Sequence, residues 1–162
     1  MKLSILIPVF NEAPTITAIV ERVQAVPLEK EIVLVNDASS DGTYLIVEAL
    51  ASSGMKVIHH PINHGKGAAI RSGLEAASGD VIVIQDADLE YDPSDFSKLL
   101  APIAAGRADV VYGVRSLESQ TAIMRFGNNF VTLATNLLYG ALVKDMETCY
   151  KMMRREIALS LD

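Results

Sequence analysis

Short apolar runs alternate with amphipathic segments from the start of the chain, and this alternation limits the possible folds more than any other feature. The runs are rich in Val and Ile and lack alternating polar residues, which is typical of strands covered on both faces. Strands that alternate with helices predict a parallel sheet with right-handed crossovers. We therefore predict an α/β fold whose mostly parallel sheet carries helices on both faces. The predicted strands are residues 3–9, 31–35, 56–59, 80–84 and 109–112.

Four helices are predicted between these strands, because apolar residues there recur at helical spacing. Pro93 is predicted to open the fourth helix with Asp92 as its cap, and Asp41 is predicted to cap the second. The residues that mark the four apolar faces are Ile16, Ile19, Val20 and Val23; Tyr44, Leu45 and Val47; Ile70 and Leu74; and Phe96, Leu99, Leu100 and Ile103.

Composition narrows the class of protein. The 162 residues are 50% hydrophobic and 21% charged, which is typical of one globular domain. The net charge of -6 argues against a nucleic-acid partner, which would require a basic face. The single cysteine, Cys149, excludes an internal disulfide and indicates a reducing, cytoplasmic compartment. No run reaches about 20 uninterrupted apolar residues, although residues 121–143 come closest.

Three acids follow the fourth predicted strand at alternate positions: Asp86, Asp88 and Glu90. In an extended segment they point the same way, and without a cation they would repel one another. Carboxylate oxygens suit Mg²⁺ or Mn²⁺ better than zinc. The alternative is that Asp88 and Asp92 only cap and solvate a turn. We predict that role for Asp92 and a metal-binding role for Asp86 and Asp88.

Polar residues also follow the other strands, and open α/β sheets bind ligands at the carboxyl ends of their strands. Asp37 directly follows the second strand, where its carboxylate can accept hydrogen bonds from a nucleobase or a ribose. The segment around Lys66 is not a P-loop, because His60 and Gly67 occupy positions that require glycine and Ser or Thr. The segment is instead predicted to begin a helix, with a glycine on each side of Lys66. This is compatible with an anion site or with a solvated lysine.

Five segments of the sequence, which occur in this order, resemble those of a known family: ILIPVFNE, VLVNDASSDGT, NHGKGAAIRSGLEAASGDVIVIQDADLEYDP, VVYGVR and DMETCYKMMRR. With them, the chain resembles family 2 glycosyltransferases of the GT-A fold over nearly its whole length. Within that family it is similar to the polyprenyl-phosphate (dolichol-phosphate) mannosyl- and glucosyltransferases. The resemblance implies a metal-dependent enzyme that moves a hexose from a GDP- or UDP-sugar to a polyprenyl phosphate with inversion. It also implies a location at the cytoplasmic face of a membrane.

The resemblance implies roles for individual donor-site residues. Asp86 and Asp88 match the family's DxD acids, which bridge the diphosphate through Mg²⁺ or Mn²⁺, while Glu90 stands where relatives often carry Gln. Lys151 stands where relatives often have an Arg that closes on the diphosphate. The residues implied to line the nucleoside pocket are Pro8, Phe10, Glu12 and Asp37, with Lys66 close by.

Two arginines match basic residues that such enzymes use for the acceptor phosphate: Arg115 and Arg125. Asn129, four residues after Arg125, lies on the same face if the segment is helical and adds a neutral donor. A second interpretation replaces the phosphate by a sugar hydroxyl, which requires a carboxylate base such as Asp145 or Glu147. The two arginines favour the phosphate acceptor, since a phosphate is already anionic and needs positioning cations.

Further alternatives concern the extent and surface of the protein. Relatives usually continue past the segment 152–157, so we expect one catalytic domain, residues 1–162, incomplete at its C-terminus and ending inside a helix. A module that binds nucleotides without turnover is an alternative, and a glycosidase is the weakest one. An apolar stripe either packs against the sheet or contacts a membrane surface. Its members are Phe126, Phe130, Leu133, Leu137 and Leu138.

Overall fold

The computed structural model describes residues 1–113, 131–133, 135, 137–138, 140 and 148–161. These residues form a sheet of six strands with helices on both of its faces. The strands are β1 (Leu3–Val9), β2 (Lys30–Asn36), β3 (Lys56–His59), β4 (Val81–Ile84), β5 (Val110–Tyr112) and β6 (Lys151–Arg154). The helices are α1 (Ile16–Ala25), α2 (Thr43–Ala51), α3 (Lys66–Ala76), α4 (Phe96–Ala104) and α5 (Arg155–Leu159), and a 3₁₀ turn (Pro93–Asp95) precedes α4.

The sheet is mostly parallel, with the strand order β3-β2-β1-β4-β6-β5. β1 pairs in parallel with β2 and β4, and β2 pairs in parallel with β3. β6 runs antiparallel between β4 and β5. The predicted α/β class is confirmed, and each of the five predicted strands lies within one residue of its observed bounds.

The sixth strand differs from the helix expected at the end of the chain. Residues 151–154 form β6, and the helix α5 begins only at Arg155. Met152 is fully buried between two neighbouring strands, whereas methionine by itself favours a helix. Pairing on both edges therefore overrides local propensity here.

Two hydrophobic clusters cover the two faces of the sheet. Leu3, Ile5 and Ile7 point into the larger cluster, which contains every apolar residue predicted for α1 and α4. Leu6 and Val35 point to the opposite face, beneath α3. The predicted faces of the first and fourth helices are thereby confirmed.

The predicted faces of the other two helices are confirmed in part, since Val47 is buried and Ile70 and Leu74 pack against the second cluster. In α2, Tyr44 and Leu45 are exposed, while Thr43 and Val47 are buried. In α3, the small residues Ala69 and Gly73 are buried, and Ile70 and Leu74 lie only partly buried beside them. A Cβ at Gly73 would lie 3.3 Å from the Val35 side chain, so the absent side chain permits close packing of α3. Small residues in contact with a sheet give a weak hydrophobic pattern, which explains why Ala69 and Gly73 were not predicted.

A half-buried carboxylate, that of Glu31, joins several segments at the amino-terminal end of the sheet. It accepts hydrogen bonds from Ser4 Oγ, Ser78 N, Ser78 Oγ and Gly79 N, at 2.5 to 3.0 Å. The Nζ atoms of Lys2 and Lys56 lie 2.9 and 3.1 Å from its Oε2. Burial alone would raise the pKa of Glu31, but the hydrogen bonds from Ser4, Ser78 and Lys2 outweigh burial and hold it far below its ordinary value.

Within the described part of the chain, no helix combines the length and the apolar character needed to span a bilayer.

Candidate functional site

A cavity of about 450 Å³ opens at the carboxyl ends of β1, β2 and β4. It brings together seven of the residues predicted for the donor site, as well as Asn63, which the sequence did not indicate. The lining residues are Pro8, Val9, Phe10, Glu12, Asp37, Asn63, Gly65, Lys66, Ala69, Asp86, Ala87 and Asp88. Ligands of open α/β sheets bind at such an edge.

The wall that follows β1 is fixed by contacts with the loop after β2. Asn11 has a φ of 57°, and its Oδ1 accepts a hydrogen bond from Ser40 N at 2.8 Å. Asp41 accepts from Thr43 N at 3.1 Å and from Ala13 N at 3.2 Å. Gly42, and not the predicted Asp41, is the N-cap residue of α2, but Asp41 directly before it accepts from the first N–H of the helix, and the same carboxylate also joins the two loops. Phe10, 48% exposed, is thus presented on the cavity wall.

Asp37, at the end of β2, is held by the loop that precedes α3. Its carboxylate accepts hydrogen bonds from His60 Nδ1 at 2.6 Å, His64 N at 3.0 Å and Gly65 N at 2.7 Å. Burial alone would raise the pKa of Asp37, but these hydrogen bonds outweigh burial and keep it below its ordinary value. Asp37 is therefore a buried anion that organises the cavity wall as well as lining it.

Lys66 begins α3 and faces the acids that follow β4. Its Nζ lies 2.5 Å from Asp86 Oδ1, so Lys66 is paired with an acid of the cavity and is not simply a solvated lysine. Burial opposes its charge, but the hydrogen bond and ion pair with Asp86 outweigh burial and raise the pKa of Lys66. A positive charge thus stands directly beside the proposed metal ligand.

Residues near the end of the chain form hydrogen bonds with the segment 85–91, which carries Asp86 and Asp88. Tyr150 donates from Oη to Gln85 Oε1 at 2.8 Å, and Gln85 Nε2 donates to the carbonyl of Asp86 at 2.9 Å. Cys149 N donates to Tyr91 Oη at 2.9 Å. Burial, with the nearby Asp86 charge, raises the pKa of the Cys149 thiol to about 12. Sequence reasoning missed this support, although the polar Gln85 directly after the apolar run 81–84 was a signal for it.

The predicted row of three acids is interrupted after Asp88. Leu89 has a φ of 66°, Glu90 N donates to Asp88 Oδ1 at 3.1 Å, and Glu90 does not line the cavity. The turn at Leu89 breaks the extended geometry on which the prediction of a third ligand rested. Asp92 accepts from Ser94 N at 2.9 Å at the start of the 3₁₀ turn, so its predicted capping role is confirmed.

Two carboxylates, those of Asp86 and Asp88, remain as candidate metal ligands beside Lys66 in the cavity. Across residues 1–113 and 148–161 and the few described between them, no three His, Cys, Asp or Glu side chains are grouped to hold a metal ion. Mg²⁺ is commonly held by one or two carboxylates together with waters and the phosphates of a substrate. Asp86 and Asp88 therefore fit a cation that is shared with a bound diphosphate.

The remaining predicted residues lie elsewhere. Lys151 begins β6 and lines a second, apolar cavity of about 590 Å³ between α3 and α5, not the cavity that contains Asp86. Arg115, Arg125 and Asn129 lie outside the described residues, as do Asp145, Glu147, Phe126 and Phe130. The described members of the apolar stripe are exposed: Leu133, Leu137 and Leu138.

Comparison with known proteins agrees with this arrangement. The profile described as Glycosyl transferase family 2 matches residues 4–160, nearly the whole chain. The chain belongs to glycosyl transferase family 2. An undecaprenyl-phosphate 4-deoxy-4-formamido-L-arabinose transferase from Pseudomonas fluorescens is 34% identical to this family 2 member over 161 residues, covering 95% of this chain. A transferase of the same name from Aeromonas hydrophila is 30% identical over 161 residues, also covering 95% of this chain.

Solved structures show the same fold. Glucosyl-3-phosphoglycerate synthase from Mycobacterium tuberculosis, in complex with Mn²⁺, UDP and phosphoglyceric acid, superposes with a TM-score of 0.78 at 24% identity, covering 99% of this chain and 58% of that one. A mannosyltransferase from Pyrobaculum calidifontis, in complex with GDP-Man and Mn²⁺, gives 0.74 at 21% identity, covering 97% and 45%. The fold is GT-A. This family 2 chain spans about half the length of the curated relatives, 47% and 49%.

Proposed function

We propose that the chain carries the donor site of a glycosyltransferase that moves a sugar from a nucleotide-sugar to a polyprenyl phosphate, with inversion at the anomeric carbon. The observation that carries the proposal is the convergence of Asp37, Lys66, Asp86 and Asp88 on one cavity at the carboxyl edge of the sheet. Because the chain belongs to glycosyl transferase family 2, the reaction proposed for this cavity is glycosyl transfer.

Each part of the cavity suits one part of a nucleotide-sugar. Asp37 and the exposed ring of Phe10 are suited to the nucleoside, by hydrogen bonding and by stacking respectively. Asp86 and Asp88 are suited to hold Mg²⁺ or Mn²⁺, which when bound would supply positive charge to the leaving diphosphate. Lys66 adds a cationic side chain on the same side of the cavity. The two solved complexes named above contain Mn²⁺ with UDP or GDP-Man, which supports this assignment.

The acceptor is proposed from the relatives and from the sequence. The curated relatives are named as undecaprenyl-phosphate transferases. A phosphate acceptor needs cations rather than a base, and Arg115 and Arg125, with Asn129, are the candidates. The sugar that the relatives' name specifies, 4-deoxy-4-formamido-L-arabinose, is a pentose derivative. The hexose predicted from the sequence therefore stays a prediction, and a pentose donor is the rival.

The most informative test is a thermal-shift panel of nucleotide-sugars, measured with Mn²⁺ and with EDTA. A ligand that binds only the native state raises the melting temperature as its concentration increases. The panel includes GDP-mannose, UDP-glucose and a nucleotide-linked 4-deoxy-4-formamido-L-arabinose. We expect at least one to stabilise the protein only with Mn²⁺. The absence of any shift across the panel would refute the donor site.

The acceptor class is tested by substitution of Arg125. Arg125→Ala is expected to lower transfer to a polyprenyl phosphate roughly ten- to a hundredfold, because one charge-assisted contact is lost. Nucleotide-sugar affinity should stay within about twofold of wild type. Arg22→Ala, an exposed substitution in α1, is the matched control. Transfer to a sugar hydroxyl that survives in Arg125→Ala and is lost in Glu147→Gln would instead support the hydroxyl acceptor.

A membrane surface is proposed as a further partner. The exposure of Leu133, Leu137 and Leu138 supports the membrane-contact interpretation of the apolar stripe over packing against the sheet. Flotation with liposomes checks this, with Leu137→Ser and Leu138→Ser together as the variant. Equal flotation of wild type and variant, or none of either, would remove the membrane role.

A further inference from the structure

A chain of hydrogen bonds leads from the donor cavity through His60 into α3. Asp37 Oδ1 lies 2.6 Å from His60 Nδ1, and His60 Nε2 lies 2.9 Å from Ser72 Oγ. The side chains of Asp37 and His60 are 3% and 12% exposed, so water competes little for these contacts. The three residues join the end of β2, the segment after β3 and the middle of α3.

The chemistry of the three groups fixes the role of the ring. A carboxylate can only accept hydrogen bonds, so the proton of the His60–Asp37 contact belongs to Nδ1. Nε2 then faces a hydroxyl, which can donate to a neutral ring or accept from a charged one. Ser72 therefore holds the ring in the orientation that Asp37 requires, whichever form the ring takes.

The same order of groups occurs in hydrolytic triads, but the position of Ser72 argues against that chemistry here. A triad needs backbone N–H groups aimed at the developing oxyanion. Ser72 lies within the 11-residue helix α3, where the N–H groups of the neighbouring turns are used in the helix itself. The arrangement is therefore suited to holding Asp37 and not to nucleophilic attack.

We propose that His60 and Ser72 are positioning residues of the donor site, which orient the Asp37 carboxylate toward the nucleoside of the bound donor. The inference rests on the proposed function, since it requires a nucleotide in this cavity. Asp37 also holds His64 N and Gly65 N, and Lys66 follows directly with its contact to Asp86. His60 thus acts directly on Asp37, at the nucleoside end of the site. It reaches the diphosphate end only through the segment that carries His64, Gly65 and Lys66.

Two substitutions of His60 test the two contacts of its ring separately. An asparagine amide nitrogen falls near the position of Nδ1, and that of a glutamine falls near Nε2. His60→Asn therefore keeps a donor for Asp37 and loses Ser72, whereas His60→Gln keeps a partner for Ser72 and loses Asp37. Binding of UDP, GDP and inorganic diphosphate is measured by calorimetry with Mn²⁺, together with the melting temperature of each variant.

We expect His60→Gln to weaken binding of the nucleoside diphosphate roughly tenfold, because a charge-assisted contact to a buried carboxylate is lost. His60→Asn and Ser72→Ala keep a donor for Asp37 but lose the contact between positions 60 and 72, so they should weaken the same binding by a smaller factor, about threefold, and an unchanged affinity in Ser72→Ala would remove Ser72 from the proposal. Inorganic diphosphate, which has no nucleoside, should bind all variants equally. A loss of structure alone would weaken both kinds of ligand together, so the ratio of the two affinities is the decisive readout.

His59→Gln is the matched control. His59 also bridges two side chains, with Nδ1 3.0 Å from Asn36 Nδ2 and Nε2 2.7 Å from Glu48 Oε1, and neither is in the cavity. If wild type binds neither UDP nor GDP, the proposed function fails. If wild type binds and His60→Gln binds equally well, the positioning role is overturned. Parallel losses for nucleoside diphosphate and inorganic diphosphate, or the same loss in His59→Gln, would overturn it too.

Discussion

The two ends of the sheet both carry buried or half-buried carboxylates, and they use them in opposite ways. At the amino-terminal end, protein donors from three separate segments converge on Glu31. At the carboxyl end, Asp86 receives the flexible side chain of Lys66, and Asp88 is exposed beside the cavity. The first arrangement consumes the acceptor capacity of its carboxylate, while the second leaves carboxylate oxygens facing the space where a ligand would lie.

Asp37 is intermediate between these two cases. It lies at the carboxyl end and lines the cavity, yet its contacts with His60, His64 and Gly65 resemble the clamp around Glu31. The comparison teaches that burial and position do not separate structural acids from binding acids. Asp37 has both roles, since protein donors hold its carboxylate and it also lines the cavity, whereas Asp86 is paired with the long, flexible side chain of Lys66.

The largest expected effect is the loss of stability in Glu31→Gln. The substitution removes the charge and turns one acceptor into a donor that faces Ser78 N and Gly79 N. We expect unfolding free energy to fall by about 2–4 kcal/mol at pH 7, as measured by urea denaturation. Nucleotide affinity measured well below the unfolding transition should not change. A loss of unfolding free energy under about 0.5 kcal/mol would contradict a stabilising role for the hydrogen bonds and ion pairs around Glu31.

The same clamp predicts a pH dependence. The pKa of Glu31 is held below its unfolded value of 4.5, so its contribution is full above that value and is lost as the pH falls toward the folded-state pKa. The difference in unfolding free energy between wild type and Glu31→Gln should therefore shrink steadily below about pH 4.5. A difference that stays constant between pH 6 and pH 3 would show that Glu31 acts by packing alone.

A smaller effect is expected for Gly79→Ala at the same end. A Cβ there would lie 2.7 Å from the carbonyl oxygen of Lys2 and 3.0 Å from Ser4 N, both backbone atoms that cannot rotate away. The expected loss is about 1–3 kcal/mol by thermal or urea unfolding. Gly67→Ala, where a Cβ meets nothing within 4 Å, is the matched control and should be nearly neutral or stabilising. Similar losses in both variants would contradict this account.

Asp92→Ala tests whether a structural acid can lie near the binding edge. Asp92 accepts from Ser94 N at the start of the 3₁₀ turn before α4, and it does not line the cavity. Loss of such a cap costs about 1 kcal/mol of stability. Nucleotide affinity should be unaffected. A clear loss of Mn²⁺-dependent affinity in this variant would mean that Asp92 takes part in binding and is not only a structural acid.

The smallest effect on stability is expected for Asp88→Asn. Asp88 is exposed, and its contact with Glu90 N is an acceptor role that an amide oxygen can keep. Unfolding free energy should change by no more than about 0.5 kcal/mol. A loss comparable to that of Glu31→Gln would mean that Asp88 is a structural acid after all.

The parts of the fold that the sequence revealed are those with a local pattern. Val- and Ile-rich runs located the five strands, and β1 was predicted at its observed bounds. The capping acid Asp92 was predicted because a cap and its donor lie two residues apart, and Asp41 missed the N-cap position of α2 by one residue. The carboxyl-edge acids were predicted because strand ends in a parallel sheet meet.

The parts that were missed depend on contacts between distant residues. The clamp around Glu31 joins residues up to 48 positions apart, and no local pattern marks it. β6 forms because Met152 and its neighbours fit between two strands, which their own propensity does not predict. The role of His60 was not predicted, since it arises from Asp37 and Ser72, 23 and 12 positions away.

The central claim is that Asp86 and Asp88 bind a cation that holds the donor's diphosphate. The most direct measurement is calorimetric titration with UDP or GDP, with Mn²⁺ and with EDTA, on wild type, Asp88→Asn and Asp92→Asn. The account predicts that Mn²⁺ tightens binding roughly tenfold or more in wild type and in Asp92→Asn, because the metal links carboxylates to phosphates. In Asp88→Asn this gain should largely disappear. An undiminished Mn²⁺-dependent gain in Asp88→Asn would contradict the claim.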